Sequence, residues 1–356
     1  MRKTLIKIIV CICVFVMTLF IGSSVYNQGN ADMTSEMSKA SLPIVKMNRG
    51  GDSFNTLHGL RQEVDGCFMR DTLTPLGENR SLAFSIDKYG NTIDELSFEV
   101  RSIDGTRLVE RTKVTDYTEN DQSILANITI KDLIEQNTEY NWILLVTIQG
   151  ETIRYYTRIM DAGDYHLDEK LAFVREFHEK TFDPERVNEL STYMESNSKG
   201  DNTTLARVDI HSSLSQVAWA GLSVAQVTDS DVIVSEIDAQ TASIRVNYMA
   251  MIRDDGQSRY YNVSEFYRVR YTSDRMYLLD FERTMNQIFD AQADVYASNK
   301  IMLGIRESDV QMMESDGGSN LAFVNENQLF CYHAADKKMA YLFSFYDERA
   351  GQYDIR

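Results

Sequence analysis

Proline is nearly missing, with three in 356 residues, and glycine is modest at 18. This composition excludes long collagen-like or low-complexity tracts. Cysteine is as scarce. Of the four, Cys11 and Cys13 lie in an apolar run, and only Cys67 and Cys331 lie outside it. They are far apart in sequence, so neither a bridge between them nor the disulfide framework of a small secreted domain is expected. No phosphate-binding glycine loop is present. Negative charge is missing from the first 31 residues and abundant afterwards: no Asp or Glu precedes Asp32. With Arg2, Lys3 and Lys7 set aside, 33 basic residues face 53 acidic ones, a net charge of -20. Such a body is repelled by nucleic acid, anionic lipid and anionic wall polymer. Nucleic acid is therefore not an expected partner.

What is there begins with Arg2, Lys3 and Lys7 before an apolar run from Ile8 to Ile21; counted from Leu5 to Val25, the stretch has the ~20 residues needed to cross a bilayer as a helix. Residues 1–26 are thus expected to be a transmembrane signal-anchor with the N-terminus inside. A cleaved signal peptide ending near Gly29-Asn30-Ala31 is the other reading. Either exports the rest of the chain. The sequons at Asn127, Asn202 and Asn262 matter only in a eukaryotic secretory pathway, whereas export with so few cysteines favours a bacterial envelope.

Residues 27–46 are polar and unpatterned, and read as a linker. From 47 to 160 the period is two. Leu96, Phe98 and Val100 alternate with polar residues before an Asp104-Gly105 turn, and Ile124, Ala126, Ile128 and Ile130 share a face. Tyr140, Trp142, Leu144, Val146 and Ile148 precede a Gln149-Gly150 turn, and Ile153, Tyr155, Thr157 and Ile159 follow it. The stretch DLIEQNTEYNWILLV resembles the corner of fibronectin type III and immunoglobulin-like sandwiches. The resemblance implies that Leu133 precedes the turn, that Asn137 accepts a left-handed conformation, and that the Tyr140 hydroxyl bonds back to the turn backbone.

Between 164 and 284 the period changes to 3.6 and back. Leu167, Leu171, Val174 and Phe177 or His178 form a helical stripe, and Asp183-Pro184 ends that helix. A second helix is expected through Val187, Leu190 and Met194. Long strands follow, with faces Ile244/Val246/Tyr248/Ala250/Ile252, Val263/Tyr267/Val269/Tyr271 and Tyr277/Leu279/Phe281. Helices followed by a long antiparallel meander resemble cystatin-like and NTF2-like α+β folds. Residues 285–299 read as a helical connector. From 300 to 356 two strands around a turn, LFCYHAADKKMAYLFSF, look like the start of a β-propeller, which needs several blades; a longer protein is the expectation. The whole is similar to large, uncharacterised membrane-anchored exported proteins of Gram-positive gut anaerobes. The expected fold class is therefore multidomain and mainly β: helix, sandwich, α+β module and incomplete propeller-like end.

Sites of chemistry are few. Gly51-Asp52-Ser53 resembles the nucleophile block of GDS-type esterases, but no histidine has an aspartate three residues before it. His178-Glu179 is half of a metalloprotease motif whose fifth position is Phe182. His166 and His178 fall on different faces of their helix, and His211 and His333 stand alone. Asp280 and Glu282 would form an acid–base pair if they faced the concave side of the meander. Asp254-Asp255-Gly256 and Ser315-Asp316-Gly317-Gly318 read as turns rather than calcium loops. The tyrosines Tyr155, Tyr156, Tyr260, Tyr261, Tyr267, Tyr271 and Tyr277, with Phe266, suit packing first and sugar stacking second. No catalytic, metal or cofactor residue is assigned. The expectation is a non-catalytic, membrane-anchored extracytoplasmic scaffold, sensor or accessory subunit for envelope assembly, with envelope proteins as partners and a glycan as a possible ligand. The alternatives are an envelope hydrolase whose catalytic part lies elsewhere and a carbohydrate-binding adhesin.

Overall fold

The computed structural model describes residues 42–163, 165–254 and 257–288, with scattered positions between 7 and 22 and between 296 and 355. It is mainly β. Ten strands build the first unit: β1 (Ile44–Arg49), β2 (Asp52–His58), β3 (Leu73–Pro75), β4 (Ser81–Asp87), β5 (Glu95–Ser102), β6 (Leu108–Lys113), β7 (Tyr117–Glu119), β8 (Ser123–Thr129), β9 (Glu139–Ile148) and β10 (Glu151–Met160). They form two five-stranded sheets, ordered β2-β1-β4-β8-β7 and β3-β10-β9-β5-β6. The inner faces meet in one core around Phe84, Phe98 and Trp142, all buried. This is a β-sandwich, and each period-two face read from sequence points inward. β1 begins at Ile44, inside the stretch expected to be linker; residues 27–41 lie outside the described residues.

The turns follow their chemistry. Gln149 and Gly150 both take positive φ, 51° and 80°, which matches the twist of a two-residue hairpin. At the corner the Glu135 N–H donates to the Tyr140 hydroxyl at 3.0 Å, and Asn137 has φ 56°. Leu133 precedes this turn and is 88% exposed, while its neighbour Ile134 is buried.

The second unit holds helix α1 (Leu167–Phe182), a one-turn helix α2 (Leu214–Val217), and strands β11 (Arg207–Asp209), β12 (Val224–Gln226), β13 (Asp231–Ile237), β14 (Thr241–Asp254), β15 (Gln257–Tyr271) and β16 (Met276–Gln287). The sheet runs β11-β16-β15-β14-β12, with β13 also paired to β14. The α1 stripe Leu167, Leu171, Val174, Phe177 and His178 is buried. Lys170 is fully buried as well. Its ammonium donates to the carbonyls of Tyr165 and Asp238, each at 2.7 Å, and so ties α1 to the β13–β14 turn. The expected second helix is only a 3-10 run over Val187–Thr192, with Val187 and Leu190 buried. Asn, Ser and Thr crowd that run and compete for backbone bonds, so no α-helix propagates.

Two expectations need correction. Among the described residues no helix is long and apolar enough to cross a membrane, which overturns the spanning helix expected over 1–26. The β16 face is also different. A bulge between Arg268 and Val269 makes Val269 face Leu278 and Arg268 face Asp280. Leu278 is therefore buried and Leu279 exposed, the reverse of the expected Tyr277/Leu279 alternation. Near the C-terminus four antiparallel strands run in sequence order over Met312–Glu314, Asn320–Asn325, Gln328–His333 and Lys338–Ser344. Most of the expected connector, at 289–295, lies outside the described residues.

The two units are tied together where β13 lies beside β2. β2 bulges, so that Lys46 faces Thr56 and the next residue, Met47, faces Phe54. The extra residue is Asn55, at φ 48° and fully buried. Its amide Nδ2 donates to Leu73 O at 3.0 Å and Thr74 Oγ1 at 2.9 Å, and its Oδ1 accepts from the Val234 N–H at 2.8 Å. Arg158, on β10, donates to Ser235 O and Arg70 O, each at 2.6 Å. Arg175 of α1 pairs with Asp52 and donates to Ser53 O at 3.0 Å, and Arg49 reaches Asp168 at 2.9 Å. Most buried apolar residues of both units belong to one cluster, and Ile143, Leu145 and Tyr156 form a smaller second one.

Candidate ligand cleft and the polar cluster behind it

A cleft of about 190 Å³ opens at this junction, walled by β1 and β2 on one side and by β13, β14 and the 228–230 loop on the other. Its polar lining includes Lys46, His58, Asp229, Ser230, Asp231 and Asn247. Asp231 opens β13. Its Oδ1 is sealed from water and has no hydrogen-bond partner. Burial raises its pKa, against the opposing pull of the Thr56 hydroxyl, His58 and Lys46.

Ser230 leads from the cleft into a buried polar cluster. Its Oγ lies 3.2 Å from His178 Nε2, and His178 Nδ1 lies 2.8 Å from Glu265 Oε2. Glu265, fully buried, also accepts from the hydroxyls of Tyr248 at 2.8 Å and Tyr267 at 2.7 Å. Arg283 stands 3.9 Å from Glu265 and is itself fully buried. It donates to Val217 O and Gln216 O, and its guanidinium sits over the Trp219 ring at 3.6 Å. That stacking favours a weakly hydrated cation in an apolar place.

Serine, histidine and glutamate in line have the outline of a nucleophilic triad. The second partner of His178 decides against that chemistry. Gln226 Oε1 lies 3.0 Å from Nε2, and the Gln226 amide is fixed because its Nε2 donates to Thr228 O at 2.7 Å and to Ser230 Oγ at 3.0 Å. Both ring nitrogens therefore face acceptors, so both carry protons. Burial works against that charge, but the Glu265 carboxylate, by charge and hydrogen bond, and Gln226 together raise the His178 pKa above its usual value. Burial likewise opposes the charge of Glu265, yet His178, Arg283 and the Tyr267 hydroxyl hold its pKa below the usual carboxylate value. Burial and the same carboxylate push both tyrosines well above theirs. An imidazolium cannot take the proton of Ser230. The arrangement is a buried ion cluster that holds α1 against β14 and β15, with Arg283 Nε left without a hydrogen-bond partner.

The other residues singled out from sequence disperse. Asp52 and Ser53 engage Arg175 and join the units. His166 precedes α1 and stacks on Tyr271 at 3.7 Å. His211 bonds Asn197, and His333 pairs with Asp336. Asp280 is exposed, and Glu282 pairs with Arg207 on the outer side of the sheet, so the two do not face the core. Tyr155 and Tyr267 are buried, and Tyr277 carries the guanidinia of Arg270 and Arg275. Tyr260 is 39% exposed. The Asp255-Gly256 turn and Asp316 lie outside the described residues. Cys67 and Cys331 are free thiols, and among the described residues no group of His, Cys, Asp and Glu is placed to hold a metal ion.

Sequence reading missed Glu265, Arg283, Asn55 and Asp231. For the first two a signal existed: each is a charge on an otherwise apolar period-two face, Glu265 between Val263 and Tyr267, and Arg283 between Phe281 and Met285. A charge there must find a buried partner. Asn55 and Asp231 carry no such signal, because their burial depends on the other unit. A scan against protein-family models finds no match, and neither does a search of curated proteins.

Proposed function

We propose that this chain is an extracytoplasmic scaffold or sensor module, an accessory to envelope assembly such as export or polysaccharide production, which presents its sandwich and α+β unit to envelope protein partners. The observation that carries the reading is the buried Asn55 joint. A two-unit body locked by interior hydrogen bonds suits a platform that holds partners at a fixed geometry, whereas units that move independently need a smaller, wetter interface. The acidic composition supports exposure to water and disfavours adhesion to anionic wall polymers. The likeness to fibronectin-type and cystatin-like or NTF2-like units adds support by analogy of fold alone. The test is an alkaline phosphatase fused after Arg356 and expressed in a Gram-positive host. Activity outside the cell is expected, and activity confined to the cytosol overturns the reading.

An envelope hydrolase is the second reading, favoured by the Ser230–His178–Glu265 line. The protonated imidazole weighs against it. Treatment of the full chain with a fluorophosphonate probe is expected to leave Ser230 unlabelled; stoichiometric labelling that His178→Gln abolishes would replace the scaffold with a hydrolase.

A further inference from the structure

Among the described residues, Asp231 Oδ1 is the one carboxylate oxygen that is both sealed from water and without a hydrogen-bond partner. It lies at the seam between the units: Asp231 opens β13 opposite Asn247 of β14, beside Lys46 of β1 and Thr56 and His58 of β2. Thr56 donates to this carboxyl through its side chain and its backbone. The other neighbours do not supply the missing donor. Lys46 is 3.2 Å from Asp87 of β4 and shares its charge with that carboxylate. His58 is exposed, and Asp229, in the loop before β13, has the same sign as Asp231. Ser230 Oγ is engaged by Gln226 and His178, and Asn247 meets Ser264 Oγ at 2.8 Å. A neutral acid leaves one oxygen dry at modest cost, whereas a carboxylate needs water or a donor at both. Burial accordingly raises the Asp231 pKa despite the pull of Thr56, His58 and Lys46. Three residues along, the Val234 N–H donates to Asn55 Oδ1 at 2.8 Å, so this carboxyl stands next to the bond that ties the units.

We propose that Asp231 is a proton-controlled latch on this seam: protonated, it lets β13 close on β1 and β2; ionised, it draws water in and loosens that contact while both units stay folded. The sign follows from where the proton is held. The closed seam binds it more tightly than an opened, wetted one, so closure is complete below the ordinary aspartate value of 3.8 and is lost as pH rises through the value in the closed seam. The joint is therefore tightest in acidic surroundings. This goes beyond the scaffold reading and does not depend on where the chain resides.

The experiment follows amide hydrogen exchange in the full chain by NMR from about pH 4 to about pH 7, each rate corrected for the intrinsic effect of pH. Val234 reports the seam, and Leu144 of β9 and Tyr267 of β15 report the two units. Corrected exchange at Val234 is expected to speed at least about tenfold over this range, and at Leu144 and Tyr267 to change less. In Asp231→Asn the Val234 rate is expected to stay level; in His58→Gln, which removes the neighbouring imidazole, the rise is expected to remain. The Asp231 carboxyl carbon is expected to titrate above 3.8. If Asp231→Asn does not fold, the carboxyl titration and the Val234 profile of the natural chain decide together. A level Val234 profile, a rise that survives Asp231→Asn or vanishes in His58→Gln, or a carboxyl midpoint at or below 3.8 overturns the proposal. Equal acceleration at all three amides reports global unfolding and overturns it as well. None of these outcomes bears on the phosphatase-fusion test of the scaffold.

Discussion

Replacing Asn55 with alanine should cost more than any other single polar-to-alanine change on the sandwich side of the junction. The side chain donates to Leu73 O and Thr74 Oγ1 and accepts from Val234 N–H, all inside the protein. Thr74 Oγ1 retains Thr157 Oγ1 at 3.3 Å, but the Val234 N–H and the Leu73 carbonyl lose this partner. A buried group left unpaired costs about 1–3 kcal/mol, so two cost roughly 2–6 kcal/mol. Alanine at φ 48° adds about 1–2 kcal/mol, because a Cβ is disfavoured there and asparagine tolerates it better. The sum, about 3–8 kcal/mol, is a large part of an ordinary stability of about 5–15 kcal/mol. Asn55→Gly separates the two contributions, since glycine takes positive φ freely while the hydrogen bonds are still lost. Denaturant titration of the full-length variants should place Asn55→Gly between the natural chain and Asn55→Ala. A loss below about 1 kcal/mol in Asn55→Ala, within the range of an exposed site, would refute the reasoning.

Three further outcomes follow from the same contacts. Glu265→Gln leaves the His178 and Arg283 cations buried without their counter-ion and should cost about 3–5 kcal/mol, read by thermal unfolding at pH 6. The pH dependence has a definite sign: the His178 pKa is raised, so its contribution is complete below the unfolded value near 6.5 and is lost as pH rises through the folded value. The Glu265 pKa is lowered, so its contribution is complete above about 4.5 and is lost as pH falls through the folded value. Both are therefore present in full between about 4.5 and 6.5, and Glu265→Gln should flatten the melting temperature against pH; an unchanged profile contradicts the ion cluster. Tyr140→Phe removes the acceptor of the Glu135 N–H and should cost about 0.5–1.5 kcal/mol by equilibrium unfolding, with hydrogen exchange at Glu135 speeded more than at β9.

The repeating apolar faces were legible because period and burial are the same physics. Ile244 to Ile252 on β14 and Leu167 to Phe177 on α1 are core for the reason that their spacing states. The β16 face failed only at its start, where one bulge shifts the alternation so that Leu278 rather than Leu279 points inward before Phe281 does as expected, and nothing in the residues of MYLLDFER marks where the extra one falls. That Ile134 rather than Leu133 packs inward was not legible, because two adjacent apolar residues compete for one inward place. The junction was unreadable in principle. Asn55 looks like any polar residue on a strand until Val234, 179 positions later, presents its N–H. Asp231 looks like a strand-opening aspartate until β1 and β2 cover it.

The two tryptophans report the two units separately: Trp142 is buried in the sandwich and Trp219 beneath Arg283 in the α+β unit. Equilibrium unfolding of full-length Trp142→Phe and Trp219→Phe, each followed by its remaining tryptophan, asks most directly whether the Asn55 joint makes one body. A shared midpoint in both variants, displaced together by Asn55→Gly, is the predicted result. Two midpoints well separated in the natural joint, with only one responding to Asn55→Gly, would contradict it.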